Sequence, residues 1–184
     1  MGSIVLKTHW ERVVLSTVRE YFRFEEQLAA SAKDADAQHV YETGYETLRT
    51  AMCASILLHH FTDVAVERGA MTSMGIANLG QARKLLADST KTADGSARPN
   101  DSKILGEVAD AVKHAELTAK HIVHVEKRGR VLAISECVEI ENTELNIDFG
   151  VKVIVPTQGV ARSLRSIIEN VVRGWTSILD LQPL

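Results

Sequence analysis

Apolar residues recur at spacings of three and four near the start of the chain. Trp10, Val13, Val14, Val18, Tyr21, Phe22 and Leu28 fall on one stripe, the pattern of a helix that buries one side. Thr8-His9-Trp10-Glu11 has capping-box spacing, which predicts a helix from Thr8 to about Ala32. A longer helix is expected from about Ala35 to Arg68, capped by Asp34 and ended by Gly69. One of its stripes is Tyr41, Tyr45, Leu48, Met52, Ser55 and His59; beside it runs a second of Ala51, Ala54, Leu58, Phe61 and Ala65. Between Ala51 and Leu58 the pattern is apolar almost all round, so this is the expected central helix of a bundle.

A shorter helical pattern covers Ile76 to Ala87, and the Ser-, Thr-, Gly-, Asp- and Pro-containing stretch from Asp88 to Asp101 reads as a surface loop. Asp101 or Ser102 then caps a helix whose Leu105, Val108, Val112, Ala115 and Ala119 face the core. After it the period changes to two. Leu132, Ile134, Val138 and Ile140 mark one face of a strand, and Leu145, Ile147, Phe149, Val151, Val153 and Val155 mark one face of the next. Glu141 to Glu144 is the connecting turn, and Ile122 to Glu126 is the expected third strand, joined through Lys127-Arg128-Gly129-Arg130. Pro156 and Thr157 stop the sheet. Val160, Leu164, Ile168, Val171, Trp175 and Ile178 then define a last helix to about Asp180, widened by Ile167, Val172 and Leu179. The fold expected is a mainly α (α+β) bundle of four or five helices with an antiparallel β-hairpin or three-stranded sheet before the C-terminal helix. It forms one domain over 1–184, with the β insertion at about 121–155.

A length of 184 residues suffices for one core without metal or disulfide support. The net charge of −3 gives no overall positive field toward nucleic acid or anionic membrane. No apolar run is long enough to cross a bilayer, and Met1 to Lys7 is too short for a signal-peptide apolar region, so the expected location is the cytoplasm. Cys53 and Cys137 read as buried, inert thiols rather than a disulfide framework.

Chemistry is carried by few residues. His59 and Asp63 stand four apart on the central helix, and Asp110 and His114 four apart on the fourth. In each pair the carboxylate can orient the imidazole, and if the helices are neighbours the four side chains could converge as metal ligands. His60 turns about 100° from His59, so the two are not expected to share one ligand and one of them is expected at the periphery. Lys113 beside His114 offers a cation next to a base, so His114, Lys113 and His59 are the catalytic candidates. His121 and His124 share a face only on a helix. The basic turn Lys127 to Arg130 could touch phosphate, although it lacks interleaved aromatics. No GxSxG, GxxxxGK[ST] or GxGxxG motif is present, and no cofactor is indicated.

At Leu58-His59-His60-Phe61-Thr62-Asp63 and at Val108 to Leu117, the sequence resembles a group of uncharacterised prokaryotic helical proteins. In these a His-bearing central helix precedes an Asp, Ala, Lys-His and Leu helix, a hairpin and a Trp-bearing final helix. The layout is also similar to HEPN-type bundles of prokaryotic defence and toxin systems, some of which cut RNA with an Arg and a His four to six residues apart. No arginine of this chain precedes a histidine at that spacing: Arg49, ten residues before His59, comes nearest.

Broad apolar helix faces and the absence of catalytic signatures point first to a non-catalytic protein that self-associates and binds a protein partner. Two alternatives stand beside it: a HEPN-like RNA-processing or defence protein, and a metal-dependent enzyme using His59, Asp63, Asp110 and His114. Nucleic acid contact stays open and no membrane association is expected.

Overall fold

The computed structural model describes residues 2–33, 37–113, 123–125, 131–140, 147–157 and 160–184. Helix α1 (Gly2–His9), a π-helical stretch (Trp10–Leu15) and α2 (Ser16–Lys33) follow one another without a break, since His9 and Ser16 both hold right-handed helical angles. Thr8 and Glu11 therefore lie inside a helix, and no capping box forms. The reason is that the buried stripe begins earlier than Thr8: Leu6 is covered, one turn before Trp10, Val14 and Val18. The six-residue π-stretch resets the phase of that stripe, so that both Val14 and Leu15 are fully buried.

The central rod, α3 (Ala37–Glu67), ends as expected at Gly69. Gly69 adopts φ +63°, Ala70 N–H donates to Ala65 O and Gly69 N–H donates to Val66 O, which satisfies the last turn's carbonyls. The second of its sequence stripes faces inward, with Ala51, Ala54, Leu58, Phe61 and Ala65 all fully buried. The first does not hold at its N-terminal end. Tyr41 and Tyr45 are exposed, and α3 packs on α2 there through Thr43, Thr47 and Thr50. The hydroxyl of Thr47 donates to Phe24 O of α2 at 3.1 Å and also to Thr43 O, so a polar but compact side chain is what the close helix pair needs. Cys53 is likewise exposed rather than core, because it lies two residues from Ala51 and so about 200° around the helix from it.

Asn78 caps α4 (Leu79–Ser89), accepting from Gln81 N–H at 3.0 Å while Gln81 Oε1 accepts from Ala77 N–H. Helix α5 (Pro99–Lys113) begins at a proline, whose missing N–H costs nothing in a first turn. Strands β1 (Ala133–Ile140) and β2 (Ile147–Val155) pair antiparallel, Ala133 opposite Ile154 and Ile140 opposite Ile147, which is the expected hairpin. The third strand is not the expected one. It is β3 (Arg162–Ser163), antiparallel to Ile154 and Val155. The Val123–Val125 stretch makes only a single bridge, Val125 to Thr157, because its backbone amides are taken by the carboxylate of Glu107. Forming β3 also delays the final helix, α6 (Leu164–Leu179), capped by Ser163, and leaves Val160 exposed.

The protein is thus mostly helical, with a three-stranded antiparallel sheet before its C-terminal helix. Helix α6 crosses the centre: Leu164, Ile167, Ile168, Val171, Val172 and Trp175 are all buried within the chain itself. The width of its apolar stripe is therefore met by neighbours on several sides, α4, α5 and β2 among them. Phe61 joins the layers, its ring 4.8 Å from Trp10 and 5.1 Å from Trp175, both tilted in the manner aromatic pairs favour. No described helix is long and apolar enough to cross a membrane.

Candidate functional site

Where the C-terminal half of α3 passes α4 and α5, the three helices leave a cavity of about 630 Å³, bordered also by His124. Leu86, Ala87 and Pro99 make its apolar wall, and the methyl-bearing Thr62 adds to it. His59, His60, Arg83, Lys103, Asp110 and His124 bring polar groups to the same space.

The close passage of α3 over α5 depends on Gly106. A Cβ added there would stand 2.9 Å from His59 Cε1 and 3.1 Å from Nδ1, so the imidazole fills the place of a side chain. Glycine inside a helix costs about 1 kcal/mol relative to alanine, and here that cost admits the His59 ring between the helices. Burial pushes the His59 pKa down to about 4, helped by the charges of Arg83 and His60 and opposed by Asp110 and Asp63. At neutral pH the ring is uncharged, able to donate from one nitrogen and accept at the other.

His60 shares the cavity with His59. Its ring centroid lies 5.4 Å from that of His59, edge against face, and both line the cavity. Nor does Asp63 hydrogen-bond His59: its Oδ2 is 2.6 Å from His60 Nδ1, an i,i+3 pair instead of the expected i,i+4 one. Both spacings bring side chains together on a helix, and here the sunken His59 ring is committed to α5, which leaves the half-exposed His60 as the partner within reach. Arg83 Nη2 approaches the second oxygen, Oδ1, at 3.9 Å. That oxygen is buried and, among the described residues, accepts no hydrogen bond.

Glu107 builds the opposite rim. Its carboxylate accepts from Val123, His124 and Val125 N–H at 3.0, 2.8 and 2.7 Å, and lies 2.8 Å from His124 Nδ1. Desolvation alone would raise its pKa, yet these four contacts together hold it below the ordinary carboxylate value. One buried carboxylate so satisfies three successive backbone amides of this stretch.

Of the residues singled out in the sequence, His59 and Asp110 line the cavity and Asp63 stands just behind His60. Lys113 is the last residue of α5; its side chain, and His114 with its Asp110 pairing, lie outside the described residues, as does His121. Among the described residues no three His, Cys, Asp or Glu side chains form a group able to hold a metal ion. The sequence reading missed Arg83, Gly106 and Glu107. A signal existed for Gly106, a lone glycine inside an otherwise regular helical pattern, which marks close approach. None existed for Glu107, whose partners lie 16 to 18 residues away. Comparison with known proteins finds no matching family model, no matching curated protein and no matching solved structure.

Proposed function

We propose that this chain is a non-catalytic binding protein whose site is the cavity between α3, α4 and α5, and that its ligand is a small molecule with an apolar body and a polar head. The observation that carries this reading is the cavity itself. Its volume, about 630 Å³, is that of a small-molecule pocket, and its lining sets an apolar patch of Leu86, Ala87 and Pro99 among many polar and charged side chains. The apolar body would rest on Leu86, Ala87 and Pro99; the head would meet His59, Asp110 and the Arg83 guanidinium.

A binding role is favoured over acid–base chemistry by the state of His59. A general base works best with a pKa near the working pH, and a value of about 4 makes the ring a weak base that stays unprotonated at neutrality. Such a ring is well suited to a fixed hydrogen bond.

Indole, benzoate and benzamidine offer the same aromatic body with a neutral, an anionic and a cationic head. Titrated into the protein, at least one of them is expected to bind saturably and to shift the His59 and His60 imidazole resonances. Ser102 lines the cavity from the surface of α5, so Ser102→Trp is expected to abolish that binding while leaving thermal stability close to wild type. Binding unaffected by Ser102→Trp, or no shift at either histidine with any of the three probes, would overturn the proposal.

A further inference from the structure

A second cavity lies on another part of the surface, between the turn that follows α4, strand β3 and the first turns of α6. Its volume is about 490 Å³, and three guanidinium groups line it: Arg98 from the turn, Arg162 from β3 and Arg173 from α6. The carboxylates that partner these charges, Glu169 in the lining and Asp101 behind it, offset only part of them. The one carboxylate in the lining, Glu169, is already shared between Arg165 at 3.4 Å and Arg173 at 3.7 Å.

Two of the arginines are held in place from behind. Asp101, with its side chain almost wholly buried, receives Arg162 through both terminal nitrogens, at 2.5 and 3.1 Å. The same carboxylate accepts from Asn170 Nδ2 at 2.8 Å, and Asn170 Oδ1 in turn accepts from Arg173 Nη1 at 2.9 Å. A single buried charge thus fixes Arg162 directly and Arg173 through one amide. Fork-to-fork pairing of this kind sets the plane of a guanidinium as well as its position. Ser163, the cap of α6, and Ser166, in its first turn, supply hydroxyls and the positive end of a helix to the same cavity.

We infer that this cavity binds a phosphate-class oxyanion, either inorganic phosphate or the phosphoryl group of a small phosphomonoester. Guanidinium groups match the tetrahedral oxyanion by charge and by paired N–H donors, and hydroxyl donors complete its coordination. Arg162 and Arg173, ordered in advance by Asp101 and Asn170, need no rearrangement to receive it, and exposed Arg98 closes from the turn. The site is separate from the histidine-lined cavity, so either assignment can fail without the other.

The test is calorimetric titration of the full chain with inorganic phosphate and with phenyl phosphate at constant ionic strength, with chloride as the reference anion. Saturable binding of at least one phosphate species is expected, weakened about tenfold or more by Arg98→Ala and by Arg173→Ala. Tighter binding of phenyl phosphate would identify an esterified ligand, and tighter binding of inorganic phosphate a free ion; both support the site. Arg98 is exposed and lies in a turn, so its variant folds even if Arg173→Ala disturbs Asn170. Phosphate binding no stronger than chloride, or undiminished in Arg98→Ala, would overturn the inference.

Discussion

Replacing His59 by glutamine keeps a hydrogen-bonding side chain of similar reach and removes the titration. The folded ring has its pKa lowered from 6.5 to about 4, chiefly by burial. A group depressed in this way takes up its proton more readily in the unfolded chain. The wild-type protein therefore bears no penalty above pH 6.5, loses stability as pH falls toward 4, and loses no more from this group below that. That depression from 6.5 to about 4 corresponds to roughly 3 kcal/mol for a ring wholly cut off from water. His59 opens on a wet cavity, so about 1–2 kcal/mol is expected. Urea unfolding at a series of pH values between 7 and 4 reads this directly: wild type should lose about 1–2 kcal/mol more than His59→Gln across the window. Carboxylates common to both proteins cancel in the difference. Parallel stability curves, or a His59 imidazole titrating near 6.5 by NMR, would refute the argument that α5 buries this ring.

The two tryptophans should respond differently to phenylalanine. Trp10 Nε1 donates to Gln182 O at 2.9 Å, whereas Trp175 Nε1 is buried and makes no hydrogen bond among the described residues. Thermal or urea denaturation should show Trp10→Phe costing about 1 kcal/mol more than Trp175→Phe; the opposite order would count against the assigned hydrogen bond. Gly106→Ala forces the His59 ring to move and should cost about 1–3 kcal/mol in the same assay despite the better helix propensity of alanine. A stabilised Gly106→Ala protein would mean that α3 and α5 do not approach this closely. Glu107→Ala strips the Val123, His124 and Val125 amides of their acceptor, so hydrogen exchange at these three positions should accelerate strongly while β1 and β2 keep their protection.

The fold was legible where burial follows hydrophobicity. Ala51, Ala54, Leu58, Phe61 and Ala65 announce the inner face of α3, and Leu164 to Trp175 announce α6. Alternation at 132–155 announces the hairpin. It was illegible where burial follows size or side-chain hydrogen bonding. The α2–α3 contact is built on threonines, so the tyrosines beside them were given a core position they do not hold. Glu25 is buried among apolar groups, its Oε1 accepting from Tyr21 OH and from Val153 N–H, and burial raises its pKa. No local pattern reports a carboxylate that serves a strand 128 positions away. The third strand was misplaced for a related reason: Val123–Val125 has strand-like residues, but Glu107 satisfies its amides, and the free position beside β2 goes to Arg162–Ser163.

The candidate site was legible in its residue types and not in its pairings. His59 and Asp110, which the sequence brings together only on the condition that their helices are neighbours, line one cavity. Spacing alone assigned Asp63 to His59, while the structure gives it to His60, because the contact with Gly106 decides which imidazole turns inward. A three-to-four-residue rule names both partners and cannot choose between them.

The most direct test of the binding assignment is a set of crystal structures of the protein soaked in turn with indole, benzoate and benzamidine. The account predicts at least one of these rings lodged between Leu86, Ala87 and Pro99 with its head directed to His59, Asp110 or Arg83. Density for none of the three in this cavity, or a cavity filled by the protein's own side chains, would contradict it.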